Sequence, residues 1–203
     1  HEGGLRLGDG GMVRDIFTGS AEAVAKGGNV VVVSPLDEID LSNYAATQPL
    51  NLTLNKKVGT IKVGTTNENP QPVTITVADG IEFPTFNVAS SGQSIRNLTI
   101  KGTPSSEKTF GGMSLRNSLG NQPKNITNVT FEGVHFDAKG VEMAHNNGTV
   151  IDNMAIKNCV FTNMKEPAVS FQSGGKHGNV EIINNTITFA QDATGSANGM
   201  YLL

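Results

Sequence analysis

Five titratable residues crowd one stretch of this chain, namely Glu132, His135, Asp137, Glu142 and His145. A histidine among carboxylates is raw material for a general acid, a general base or a metal site. Spacing narrows the choice. His135 and Asp137 are two positions apart and share one face of a strand, whereas Glu132 and Glu142 fall in different segments and project from different sides. His135 and Asp137 are therefore the catalytic candidates from this cluster. His177, in Ser173-Gly174-Gly175-Lys176-His177-Gly178, reads as a loop residue between strands. No phosphate-cradling glycine loop, cysteine or histidine metal spacing, or nucleophile elbow is present, so the sequence points to no metal site.

The elements that hold these residues are set by a repeated phrase. Asn97-Leu98-Thr99-Ile100-Lys101-Gly102 returns at Asn128, Asn153 and Asn179, with starts separated by 128−97 = 31, 153−128 = 25 and 179−153 = 26 residues. Self-similarity on that scale marks stacked repeats. Aligned on the asparagine, Leu98, Val129, Met154 and Val180, then Ile100, Phe131, Ile156 and Ile182, point inward. Lys101, Glu132, Lys157 and Ile183 point outward, and the alternating charges read as a cross-strand ladder. Each strand ends in Gly102, Gly133, Asn158 or Asn184, residue types that accept the left-handed backbone of a sharp corner. Beyond the corner a second strand aligns Val134, Cys159 and Ile187, then Phe136, Phe161 and Phe189 as stacked aromatics. Cys159 is thereby a buried small hydrophobe rather than a nucleophile. A third strand starts at Gly112, Gly140, Ala168 and Gly199, giving three strands per coil.

Upstream, Val13, Phe17, Ala21 and Val24 keep helical spacing before Gly27-Gly28, predicting a short amphipathic helix in the 1–28 segment. The β-branched run Asn29–Ser34 opens the strands of residues 29–203, and Leu50–Leu54, Gly59–Val63, Val73–Val77 and Thr85–Val88 alternate with period two as earlier, less regular coils. Pro70 and Pro72 mark a protruding turn. The start carries neither an initiator methionine nor an apolar signal stretch, as in a processed N-terminus, and Gly199–Leu203 reads as a strand's beginning, so a truncated or uncapped C-terminal end is expected.

Three strands per coil in sequence order, with a helix before the first, resemble the right-handed single-stranded parallel β-helix of the pectate-lyase-like superfamily. The resemblance covers about residues 13–203 and implies an all-β fold with an N-terminal capping helix. It also implies that, in a lyase, clustered aspartates would hold calcium while arginines abstract a proton and steady a uronate. Arg96 and Arg116 are the candidates for that role. The aspartates, however, are never adjacent, so calcium enters by resemblance alone and no cofactor is expected from the residues. In the related hydrolases paired aspartates protonate the leaving oxygen and activate water, and the motif elements that should precede His177 are missing.

Composition sets further limits. In 203 residues there is one cysteine and no tryptophan, charged residues make up 16%, and the formal net charge is −3 with only four arginines. No basic stripe can track a phosphate backbone, which argues against nucleic acid and serves anionic glycans poorly. No apolar run approaches a bilayer's span. Six Asn-x-Thr sequons, at Asn51, Asn97, Asn125, Asn128, Asn147 and Asn184, read as corner-and-strand grammar. The expectation that follows is a non-catalytic extracellular or cell-surface module for adhesion or glycan binding. Its alternatives are a polysaccharide lyase or glycoside hydrolase whose catalytic coils lie partly beyond Leu203 or in the irregular loops at 64–72 and 103–111, and a structural component that self-associates end to end through its open strands.

Overall fold

A computed structural model describes residues 5–7, 26–42, 47–114, 123–143, 150–171, 176–193 and 200–202. The expected capping helix, together with Arg116 and His145, lies outside them. The described residues build an all-β parallel solenoid of about six turns. Its first face is a nine-stranded sheet. In order it contains β1 (Leu5–Leu7), β2 (Gly28–Val32), β4 (Leu50–Leu54), β6 (Val73–Val77), β8 (Ile95–Lys101), β10 (Asn125–Glu132) and β13 (Val150–Lys157), with β16 (Lys176–His177) and β17 (Val180–Ile183) both on β13. The second face carries β3 (Leu36–Asp40), β5 (Val58–Lys62) and β7 (Thr85–Asn87), then separately β11 (His135–Asp137), β14 (Val160–Met164) and β18 (Thr186–Phe189). The third carries β9 (Met113–Ser114), β12 (Val141–Met143), β15 (Val169–Phe171) and β19 (Met200–Leu202).

Period-two alternation explains the core. On the first face Val30, Leu52, Ile75, Ile100, Phe131 and Ile156 stack in register, each buried to within 1% of its surface. Parallel in-register stacking places like side chains over like, so each coil shields the apolar surface of its neighbours. On the second face the rings of Phe86, Phe110, Phe136 and Phe161 form a continuous file. Its tightest pair, Phe136 and Phe161, lies 4.6 Å apart and 3° from parallel.

The repeated asparagine does not open its strand: β8, β10 and β13 begin two or three residues earlier, at Ile95, Asn125 and Val150. Asn97, Asn128 and Asn153 sit inside these strands with φ of 56°, 55° and 54°, a left-handed kink between two inward residues such as Ile95 and Leu98. The three strands per coil expected from the regular repeats are complete in the coils from β10 onward. In the two turns that contain β4–β5 and β6–β7 the third side is loop, joined by an isolated antiparallel bridge between Thr65 and Ser94. There Pro70 and Pro72 have no N–H for a ladder.

The last coil departs from the expected alignment. Ile187 pairs with Phe161 rather than lying over Cys159, and Phe189 sits opposite Met164 with 39% of its surface exposed. The cause is the corner: Asn184 Nδ2 donates to Asn158 Oδ1 at 2.6 Å, which brings Asn185 to the level of Cys159, where its Oδ1 accepts the Cys159 N–H at 2.8 Å. The outward charges pair in register at one step and diagonally at another. Lys101 reaches Glu132 at 3.9 Å, but Lys157 reaches Glu181 of the next coil at 3.6 Å.

Candidate functional site

His135 and Asp137 both project from β11, yet no hydrogen bond joins them. His135 Nδ1 lies 2.9 Å from the Ser106 carbonyl in the coil below, and Nε2 lies 2.9 Å from Thr162 Oγ1 in the coil above. A carbonyl only accepts, so Nδ1 donates to Ser106, while Nε2 shares a hydrogen bond with the Thr162 hydroxyl, which also reaches the Phe136 carbonyl as a donor at 3.4 Å. Both nitrogens are thus engaged between coils. Glu132 belongs to the first face and Glu142 to the third, where Ser114 and Ser170 flank it. Arg96, half-buried on β8, donates to Thr127 Oγ1 at 3.2 Å and borders a narrow recess beside Pro70 and Gln71. The structure keeps Arg96 apart from His135 and Asp137, on another face. Among the described residues no three histidine, cysteine, aspartate or glutamate side chains gather into a metal site.

Cys159 is buried, and its Sγ donates to the Lys157 carbonyl at 3.3 Å. Burial pushes this thiol from 9.0 up to about 11, against the opposing pull of nearby backbone hydrogen bonds. The folded thiol stays neutral where an unfolded one has ionised. The stability it contributes is therefore full below pH 9 and is lost as the pH rises from 9 to about 11. Denaturant melts across that interval should show the wild type losing about 2–3 kcal/mol more than Cys159→Ala. Equal losses in the two proteins would place the thiol in contact with solvent.

The groove that stands out lies elsewhere. The second-face ladder is broken between β7 and Phe110: Phe110 bridges only to Phe136, and β7 pairs only with β5. At this break a cleft of about 300 Å³ opens, lined by Phe83, Pro84, Thr85 and Phe86 on one coil and by Thr109, Phe110, Gly111, Gly112 and Met113 on the next. Phe83, half-buried, stacks on Phe110 at 4.9 Å and 5°. Gly112 needs its φ of +85°, and a Cβ there would lie 2.6 Å from the Gly140 carbonyl, so glycine keeps this wall low. Gly111 differs, because a Cβ built on it meets nothing within 4 Å.

Polar contacts fix the cleft's rim. Ser106 Oγ accepts from the Gly80 N–H at 3.1 Å and the Lys108 N–H at 3.2 Å, while the Ser106 carbonyl is the one that His135 holds. His135 thus positions the loop that carries Thr109. Glu82, beside Phe83, pairs with Lys57 at 2.7 Å and with Lys108 at 3.7 Å, tying three successive coils together. Lys57 first, and Lys108 after it, hold the Glu82 carboxyl below its ordinary range. The sequence pointed to the 103–111 loop but missed Phe83, whose signal, an aromatic in a turn outside the period-two strands, is legible once the coils are laid out.

Fold and groove together define a class: a parallel β-solenoid with an aromatic cleft where one of its ladders breaks. Comparison with protein-family models, curated proteins and solved structures gave no match. The likeness to the pectate-lyase-like superfamily accordingly extends to the coiled architecture and no further.

Proposed function

We propose that the chain is a non-catalytic extracellular or cell-surface module acting in adhesion or glycan binding, and that a sugar seats in the cleft beside Phe83. The observation that carries this reading is the cleft's composition. Phe86 and Phe110 are buried beneath the cleft, so the half-buried ring of Phe83 is the one that offers apolar surface to the C–H face of a sugar, and two threonine hydroxyls stand by to orient it. A volume of about 300 Å³ is at the small end of ligand pockets and suits a terminal residue or short segment of a glycan. No carboxylate or histidine lines it, so the groups that glycoside hydrolysis needs are not supplied at this place.

The test combines glycan binding with melting. Gly111→Leu places a side chain at the cleft wall from a position with open space around its Cβ, and Phe83→Ala removes the stacked ring. Both variants should lose at least tenfold in glycan affinity, with Gly111→Leu melting within a few degrees of wild type. Unchanged affinity in both would move glycan binding away from this cleft.

A further inference from the structure

The surface that the cleft shows a ligand is largely main chain and hydroxyl. Pro84, Phe86, Phe110 and Met113 are buried, which leaves the half-buried Phe83 ring with Thr85, Thr109, Gly111 and Gly112. In a parallel ladder, successive residues turn their N–H and C=O groups to opposite neighbours. Phe110 turns both of its own to the coil above, where its N–H donates to the His135 carbonyl and its carbonyl accepts from the Asp137 N–H. Thr109 and Gly111 therefore turn theirs the other way, into the cleft. Because β7 pairs only with β5, no backbone group among the described residues meets them there.

The broken ladder thus leaves main-chain donors and acceptors side by side, with the hydroxyls of Thr85 and Thr109 next to them. Groups of both kinds are best met by a ligand group that both donates and accepts, as a sugar hydroxyl does. A carboxylate only accepts and leaves the carbonyls facing an anion, whereas an ammonium only donates and leaves the N–H groups unmet, each at the cost of a desolvated, unpaired partner. Charge points the same way. None of the nine lining residues is ionisable, and Lys57 and Lys108 at the rim both face Glu82. An acidic sugar would meet no dedicated cation there.

Building on the glycan-binding reading, we infer that the ligand is an uncharged, hydroxyl-rich sugar, a neutral hexose held by the main-chain N–H and C=O groups of Thr109 and Gly111 while the Phe83 ring covers its C–H face. Titration with glucose, galactose and mannose tests the class, each beside its uronate and its 2-amino counterpart and each both free and as a short oligosaccharide. Amide hydrogen exchange tests the contacts. At least one neutral hexose should bind tenfold or more tightly than both of its charged counterparts, slow exchange at the Thr109 and Gly111 amides at least tenfold, and lose its affinity in Gly111→Leu. A uronate or amino sugar binding as tightly as its parent, with Gly111→Leu blocking it, would overturn the neutral assignment and leave the cleft as a sugar site. Neutral sugar binding that leaves both amides exchanging at their free rate would overturn the main-chain contacts. No binding by any of these sugars, free or within a glycan, would overturn both this inference and the glycan-binding reading.

Discussion

Phe136→Ala is expected to cost about 3–5 kcal/mol, the range for truncating a buried aromatic whose neighbours relax only in part. Phe136 has no exposed surface and touches three other rings: Phe110 at 5.5 Å, Phe131 at 5.9 Å and Phe161 at 4.6 Å. Alanine there leaves a hole in the file of aromatics that connects the second-face strands. The control is Phe189→Ala, the same chemical change at a ring that is 39% exposed on the last described strand of that face, where the loss should be a small fraction of this. Since a solenoid passes stability chiefly between neighbouring coils, amide exchange in Phe136→Ala should quicken most in β11 and β14. A uniform quickening along all the sheets would show that the coils unfold as one unit.

That contrast also measures what the sequence discloses. Alternation and the 25 to 31-residue period reveal the inward columns of the first face, and Leu98, Val129 and Met154 are buried as their register requires. Matching residue types cannot reveal that the register runs through a corner unbroken, as it does from Lys157 and Ile183 to Val160 and Thr186, and shifts only within the strand beyond. Phe189 looks like one more rung because Phe136 and Phe161 precede it, yet the Asn184 and Asn158 contact sets the register two residues away from the one that would stack Phe189 on Phe161. Site residues were harder still. His135 carries an obvious chemical label, but its two ring contacts depend on Ser106 and Thr162, 29 and 27 positions away, and these make it a fastening between coils. Phe83 carries no such label. Its place in the cleft arises from a ladder that stops at β7, and the stop comes from two short segments failing to pair, which no local pattern records.

The second large effect is expected at the asparagine that marks each repeat. Asn128 combines two tasks: its backbone is left-handed at φ 55°, and its amide joins a file in which Nδ2 donates to Asn97 Oδ1 at 2.9 Å while Oδ1 accepts from Asn153 Nδ2 at 2.9 Å. Asn128→Ala should cost about 2–4 kcal/mol, of which about 1–2 is the left-handed backbone imposed on alanine and the remainder the two hydrogen bonds. Asn128→Gly separates the tasks, because glycine takes positive φ without a Cβ penalty and removes only the amide. Denaturant melts should therefore order the proteins as wild type, then glycine, then alanine. Glycine level with wild type would show that water replaces the ladder at this exposed edge. Glycine level with alanine would put the whole effect in the amides, and the repeat would then require asparagine for its side chain rather than for its tolerance of a kinked strand.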